Sequence, residues 1–199
     1  MEPTDTRDRA REYLTDASDL MGAVADTCLE DIVAASEILI ESFLAGGTLL
    51  ICGNGGSAAD AQHLATEFVS ALTLDRIRPA MRAIALTTDS SALTAIANDF
   101  GVERMFARQV EAIGTAGDVL IAISTSGNSP NIVAAAEAAR AAGIGVVALT
   151  GASGGAVAPL ADVAIRVPST TTAHIQECHL AIEQLLALIA ERTLYPDPT

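Results

Sequence analysis

The sequence predicts an α/β fold in which helices cover both faces of a parallel sheet, as a three-layer sandwich. From residue 48 onward, short apolar runs of strand length alternate with longer segments of helical periodicity. Strands that are apolar throughout are typical of a sheet buried on both faces. Apolar residues make up 50% of the 199 residues, so the chain can bury a full core as a single domain, 1–199.

The first 46 residues are predicted to form helices that precede the sheet. Apolar residues recur at helical spacing over 4–45, and Gly46 and Gly47 end the pattern. The spacing fits either one long helix or two shorter ones. We therefore expect a helical extension over 1–46 and the sheet with its flanking helices over 47–193.

The remaining elements follow in regular alternation. Strands are predicted at 48–52, 81–86, 118–123, 144–149 and 163–167. Helices are predicted at 57–72, within 90–113, at 130–142 and at 172–192. The polar connection 72–79 is a candidate rim element, and the tail 195–199 is predicted to fray.

Two stretches of small polar residues directly follow predicted strands. The first loop is Cys52-Gly53-Asn54-Gly55-Gly56-Ser57, and the second loop is Ser124-Thr125-Ser126-Gly127-Asn128-Ser129. Each leads into a predicted helix, so backbone N–H groups and hydroxyls surround one point. Ligands of parallel sheets bind beyond the carboxyl ends of strands. Neither loop contains Lys or Arg, which predicts a small phosphorylated ligand held mainly by neutral donors.

Composition argues against several classes of function. The net charge of −14 would repel a nucleic-acid backbone. All eleven basic residues are Arg, and without Lys neither Schiff-base chemistry nor a Walker A site is available. The odd, widely spaced Cys28, Cys52 and Cys178 fit thiols in a reducing compartment. With no signal-like start and no apolar run of about 18 residues, we expect a cytoplasmic protein without membrane or nucleic-acid partners.

His63 and Glu67 lie four residues apart on the helix predicted at 57–72. At about 100° per residue they share one face, roughly two turns beyond Ser57. An imidazole and a carboxylate near a phosphate site could form an acid/base pair or half of a metal site. The spacing alone fits an exposed i, i+4 pair equally well.

The last predicted helix carries many polar groups near its start. They are His174, Gln176, Glu177, Cys178, His179, Glu183 and Gln184. Buried polar groups need partners, so the pattern indicates either an exposed face or a site. Asn98 and Asp99 end another helical stretch, where both residue types also serve as caps or turns.

Together these motifs resemble the sugar isomerase (SIS) domain family, and within it the phosphoheptose isomerases, up to residue 192. Besides the two loops, the matching segments are His63-x-x-x-Glu67, Ala97-Asn98-Asp99-Phe100-Gly101, Gly117-Asp118-Val119-Leu120, Leu149-Thr150-Gly151, Arg166-Val167-Pro168 and Ile175-Gln176-Glu177-x-His179. The resemblance implies a flavodoxin-like sheet of five parallel strands and a homotetramer with active sites between subunits. It also implies that the helices over 1–46 are used in oligomerisation.

The resemblance also implies an activity, the conversion of sedoheptulose 7-phosphate to D-glycero-D-manno-heptose 7-phosphate through an enediol. The residues that would hold the phosphate and nearby hydroxyls are Ser57, Ser124, Thr125, Ser126 and Ser129. Those that would line the sugar are Asn54, Gly55, Gly56, Asn98, Asp99 and Gln176. Glu67 would be the catalytic base with His63 beside it. Some members bind zinc at the positions of His63, Glu67, Gln176 and residue 184.

One departure from the family concerns position 184. The family places a catalytic histidine there, and this chain has Gln184. A Gln amide can accept a metal bond but cannot donate and recover a proton near pH 7. The missing acid would then be replaced by His63, His174, His179 or a metal-bound water. General acid/base assistance contributes roughly 10²- to 10⁴-fold, so its loss would slow the reaction without erasing the site.

Two other functions remain open on the sequence. A SIS-domain relative that associates with the bacterial replication initiator also lacks the histidine at 184, and its terminus is similar to Thr193-Leu194-Tyr195-Pro196. The alternative is therefore a non-catalytic phosphosugar-binding protein. That relative lacks the carboxylate that this chain has as Glu67, which favours the isomerase.

The second alternative function is that of a dinucleotide-binding oxidoreductase. Gly53-x-Gly55-Gly56 followed by Ala58 fits the glycine fingerprint. The expected acidic residue, Asp75, lies in the polar connection and not at a strand end, so we expect no nucleotide cofactor.

Overall fold

The computed structural model describes residues 3–73 and 77–196, which form seven α-helices and five strands. The helices are α1 (Pro3–Thr27), α2 (Leu29–Leu44), α3 (Gly56–Val69), α4 (Ser90–Phe100), α5 (Ala107–Ile113), α6 (Pro130–Ala141) and α7 (Thr172–Leu194). The strands are β1 (Leu49–Cys52), β2 (Ala83–Ala85), β3 (Val119–Ser124), β4 (Gly145–Gly151) and β5 (Val163–Val167).

The strands form one parallel sheet in the order β2-β1-β3-β4-β5. The chain first passes from β1 to β2 and later returns to the other side of β1 as β3. Strand order therefore reverses between β1 and β3, which is where open α/β sheets bind ligands. The two loops follow these two strands, so the fold brings both of them to this crevice.

Apolar side chains pack on both faces of the sheet, as the predicted sandwich requires. Side chains alternate between faces along a strand. In β1, Leu49 and Ile51 belong to one buried cluster, whereas Leu50 and Cys52 belong to the other. The end of α1 together with α2, α3 and α7 closes the first cluster, and α5 and α6 close the second. The α/β class and the five-stranded parallel sheet are thus confirmed.

The predicted elements differ from the structure mainly near the edge strand β2. The strand predicted at 81–86 shrinks to Ala83–Ala85, because it pairs on one side only, with β1. The helix predicted at 57–72 ends at Val69. The N-terminal segment forms two helices, α1 and α2, which meet at Cys28.

The polar connection 72–79 is only partly described. Residues 74–76, which include Asp75, and residues 197–199 of the tail lie outside the described residues. The side chain of Arg78 is 1% exposed, so its prediction as part of a rim is wrong. Among the described residues, no helix combines the length and apolar character needed to cross a membrane.

Candidate active site

The first loop leaves the start of α3 open. A Cβ at Gly53 would lie 2.4 Å from the carbonyl oxygen of Ser57, so this turn requires glycine. Gly55 occupies the N-cap position of α3 and offers no side-chain cap. N–H groups at a helix start that lack a cap can bind an anion. Ser57, 4% exposed, places its hydroxyl at this end of the helix.

The second loop closes around Gly127 and leads into α6, which begins at Pro130. Gly127 has a φ of 68°, and a Cβ there would lie 2.2 Å from the carbonyl oxygen of Gly154. The hydroxyls of Ser124 and Ser129 lie 3.2 Å apart. Ser129 is the N-cap residue of α6, yet its side chain makes no cap hydrogen bond. The loop therefore presents hydroxyls and the N-terminus of α6 on one side.

A pair of amide side chains joins the two loops. Asn54 Nδ2 donates to Asn131 Oδ1 at 2.9 Å, and Asn131 Nδ2 donates to Asn54 Oδ1 at 2.8 Å. Asn54 belongs to the first loop, and Asn131 lies two residues after the second. The structure thus brings the two predicted loops side by side, as their adjacent strands require.

Polar contacts between α3 and α7 begin at the first loop. Ser57 Oγ donates to Gln176 Oε1 at 3.0 Å, and Gln176 Nε2 donates to the Asp60 carboxylate. Burial raises the pKa of Asp60, and the hydrogen bond from Gln176 partly opposes this rise. Gln176 therefore lies at the first loop, held between a hydroxyl and a carboxylate.

About two turns further along α7, the second group of contacts contains the predicted catalytic residues. His63 Nε2 lies 3.1 Å from Glu67 Oε1 and also contacts the side-chain amide of Gln184. The Glu67 side chain is 12% exposed and that of His63 is 45% exposed. The pair is therefore more than a surface i, i+4 contact, because Gln184 from α7 reaches it. We use the name α3–α7 contacts for this group together with the contacts of Ser57, Asp60 and Gln176.

Glu183, next to Gln184, points into the protein. Its side chain is fully buried, and neither carboxyl oxygen has a hydrogen-bond partner among the described residues. Burial raises its pKa from 4.5 to about 9, and the negative charge of Asp60 adds to the rise. This carboxyl is therefore protonated at neutral pH.

Two of the histidines predicted as substitute acids are engaged elsewhere. His179 is fully buried, its Nε2 lies 3.2 Å from the carbonyl oxygen of Thr150, and burial lowers its pKa to about 4. His174 Nδ1 lies 2.9 Å from Glu177 Oε2, and its ring packs on Tyr13 of α1. His63 is the histidine that the structure places beside Glu67, and a role of His174 or His179 as the missing acid stays a prediction.

Asn98 and Asp99 lie apart from these contacts within the described chain. Both are exposed near the end of α4, and Asn98 Nδ2 donates to Asp99 Oδ1 at 2.7 Å. Gly55 and Gly56 are exposed in the first loop, and a Cβ on Gly56 would lie 3.0 Å from Gln176 Oε1. The sugar-lining roles of these four residues stay predictions.

Two residues of this region were not identified from the sequence. Asp60 precedes His63 by three residues, so helical spacing alone could have placed it on the same face. Asn131 gave no such signal, since its partner Asn54 is 77 residues away along the chain.

Comparison with known proteins agrees with this geometry. The SIS domain family matches residues 12–151. The phosphoheptose isomerase of Roseiflexus sp. (strain RS-1) is 55% identical over 166 residues, covering 83% of each chain. A solved phosphoheptose isomerase from Neisseria gonorrhoeae is 40% identical with a TM-score of 0.88, over 94% of this chain and 98% of that one. One from Francisella tularensis is 36% identical with a TM-score of 0.90 over the same shares. The chain therefore belongs to the SIS domain family and, within it, to the phosphoheptose isomerase family.

Proposed function

We propose that this protein is an aldose–ketose isomerase of phosphosugars that converts sedoheptulose 7-phosphate to D-glycero-D-manno-heptose 7-phosphate. The observation that carries the proposal is the convergence of His63 and Glu67 of α3 with Gln184 of α7, two helices that also meet at the first loop through Ser57 and Gln176. The similarity to named phosphoheptose isomerases supports the same reaction.

The phosphoryl group binds between the two loops. Its neutral donors are the N–H groups at the start of α3, the N–H of Asn131, which follows Pro130 at the start of α6, and the hydroxyls of Ser57, Ser124, Thr125, Ser126 and Ser129. Helix N-termini favour anions, which compensates locally for the net charge of −14. Ser57 and His63 are separated by about 9 Å along the helix axis, which is the scale of an extended phosphosugar. A phosphate at the loops therefore leaves the other end of the sugar near Glu67.

Glu67 and His63 divide the proton transfers between carbon and oxygen. The Glu67 carboxylate removes a proton from C1 of the ketose, and a proton from His63 goes to the C2 oxygen, which gives the enediol. Glu67 then returns a proton to C2 while His63 removes the one on the C1 oxygen, which gives the aldose. His63 Nε2 and Glu67 Oε1 lie 3.1 Å apart, so the two groups can act on neighbouring atoms of one substrate.

A zinc ion forms part of the proposal. An imidazole nitrogen and a carboxylate oxygen are good zinc ligands, and those of His63 and Glu67 converge with the Gln184 amide. Gln176 would be the fourth ligand, through the amide oxygen that accepts a hydrogen bond from Ser57 in this structure. Among the described residues no three His, Cys, Asp or Glu side chains are close enough to hold a metal, so both amides are needed. When bound, the ion polarises the substrate oxygens.

The homotetramer stays a prediction, and it is supported by apolar side chains that are exposed on α1 and α2. Large apolar side chains are exposed on α1 and α2, namely Leu14, Met21, Leu29 and Val33. Burial of such a row in a second copy would be favourable.

Incubation of the protein with sedoheptulose 7-phosphate, followed by NMR, tests the function. We expect the aldose phosphate to form, and Glu67→Gln to reduce turnover at least 1,000-fold, within the usual range for general base catalysis of about 10²- to 10⁴-fold. Glu111→Gln makes the same chemical change in a surface ion pair with Arg104 and should leave turnover unchanged. Calorimetric binding of the substrate without turnover would contradict the isomerase and favour the non-catalytic phosphosugar-binding alternative.

A further inference from the structure

Arg78 donates hydrogen bonds through Nε, Nη1 and Nη2 at the C-terminal end of α3, the helix that carries Glu67. Its Nε donates to Glu191 Oε2 at 2.6 Å, and these two side chains are 1% and 2% exposed. Its Nη2 donates to the backbone carbonyl of Glu67 at 2.6 Å. Its Nη1 donates to the carbonyls of Phe68 at 2.9 Å and Pro79 at 3.0 Å.

These bonds connect the end of α3 to α7. The last carbonyls of a helix have no partners within the helix, and a planar guanidinium can bond several of them at once. Two of the carbonyls belong to Glu67 and Phe68 of α3, whereas Glu191 belongs to α7. Arg78 therefore holds the backbone of the predicted base against the helix that supplies Gln176 and Gln184.

The geometry points to Arg78 as a positioning residue, which keeps the Glu67 carboxylate opposite His63 and Gln184 by fixing the last turn of α3 on α7. This role rests on the proposed function of Glu67 as the base. Arg78 contacts Glu67 through its backbone carbonyl near the C-terminal end of α3, whereas the phosphate-binding loops lie at the N-terminal end of this helix. It should therefore affect the chemical step and leave phosphosugar binding unchanged.

The magnitude follows from the sensitivity of catalysis to placement. A displacement of about 1 Å at a catalytic group can cost about 100-fold in rate. Lys at position 78 keeps the charge for Glu191 but has a single donor group, so it loses the fork to the α3 carbonyls. We expect Arg78→Lys to lower kcat at least tenfold, with KM and the calorimetric Kd within twofold of the wild-type values.

Two further variants separate positioning from stability. The double variant Arg78→Met, Glu191→Leu removes the buried ion pair as a unit, and such replacements are often neutral or stabilising. It should fold and show the same loss of kcat as Arg78→Lys. Asp118→Asn is the matched control, because buried Asp118 accepts backbone bonds from Thr48 and Thr115 at the opposite end of the sheet. It should lower the melting temperature and leave kcat unchanged.

A spectroscopic measurement tests the placement without turnover. The ¹⁵N shift of His63 Nε2 reports its contact with Glu67, so in both Arg78 variants it should move toward the value in Glu67→Gln, and in Asp118→Asn it should not. If the wild-type protein proves inactive, the proposed function fails while this shift still decides the placement by Arg78. An unchanged shift, an unchanged kcat in an active enzyme, a parallel rise in Kd, or an equal loss in Asp118→Asn would overturn the inference.

Discussion

Replacing Glu183 by Gln should make the protein more stable at neutral and alkaline pH. Glu183 is fully buried, without a hydrogen-bond partner among the described residues, and burial raises its pKa from 4.5 to about 9. Gln resembles the protonated acid in size and polarity but carries no ionisable proton. The Glu183→Gln variant should therefore keep the packing of the wild-type protein but have no group that titrates at this position.

The direction and the size of the change in the free energy of unfolding follow from proton linkage. Between pH 4.5 and about 9 the unfolded chain has lost the Glu183 proton, whereas the folded protein still holds it. The folded state then binds one proton more, so the free energy of unfolding falls by about 1.4 kcal/mol per pH unit as pH rises. By pH 7 this amounts to about 3 kcal/mol relative to pH 4.5, and the variant is free of this loss.

His179 gives the opposite slope at lower pH. Its pKa falls from 6.5 to about 4 on burial, so between these values the unfolded state binds the extra proton and stability rises with pH. The two slopes oppose each other from pH 4.5 to 6.5. Of these two slopes only that of Glu183 continues above pH 6.5, and the wild-type protein should lose stability there.

Urea unfolding followed by circular dichroism at pH 5, 6, 7 and 8 measures the difference. The stability of Glu183→Gln relative to wild type should increase steadily across these pH values. Glu137→Gln, the same change at an exposed position of α6, should run parallel to wild type. Parallel curves for Glu183→Gln and wild type would refute the reasoning.

Two further predictions concern the site. Asn131→Leu should raise the calorimetric Kd for the phosphosugar at least tenfold, because Asn54 loses both bonds that join the loops; an unchanged Kd would show that the loops hold their positions without this pair. Gln184→His should raise kcat about tenfold or more by adding a proton-carrying group beside His63, within the range of general acid catalysis. A kcat equal to or below that of wild type would mean that His63 already supplies the acid in full.

The sequence predicted the architecture well because strand and helix patterns are local. β5 has the bounds expected, Val163–Val167, since an apolar run between polar turns defines it. β2 is shorter than predicted because its length depends on pairing with one neighbour, which the sequence of β2 alone does not report. The two loops were identifiable because a strand, small polar residues and a helix start follow each other directly.

The side chains that organise the site were harder to predict, because their partners are distant in sequence. Arg78 reads as part of a polar surface connection, yet it is buried against Glu191, 113 residues away. His179 and Glu183 share the helical spacing of Ile175, Ile182 and Leu186, which indicates the core, but their polar side chains argue for an exposed face or a site. Such outcomes depend on how α3 and α7 pack, which single-chain periodicity does not determine.

The isomerisation run in deuterium oxide tests the central claim, proton transfer by Glu67 through an enediol, most directly. NMR of the aldose phosphate should show deuterium at C2 for the wild-type protein, since a carboxylate that picks up the C1 proton exchanges it with solvent. Glu67→Gln should show neither product nor exchange at C1 of the ketose. Product without deuterium, or exchange that persists in Glu67→Gln, would contradict the assignment of this carboxylate as the base.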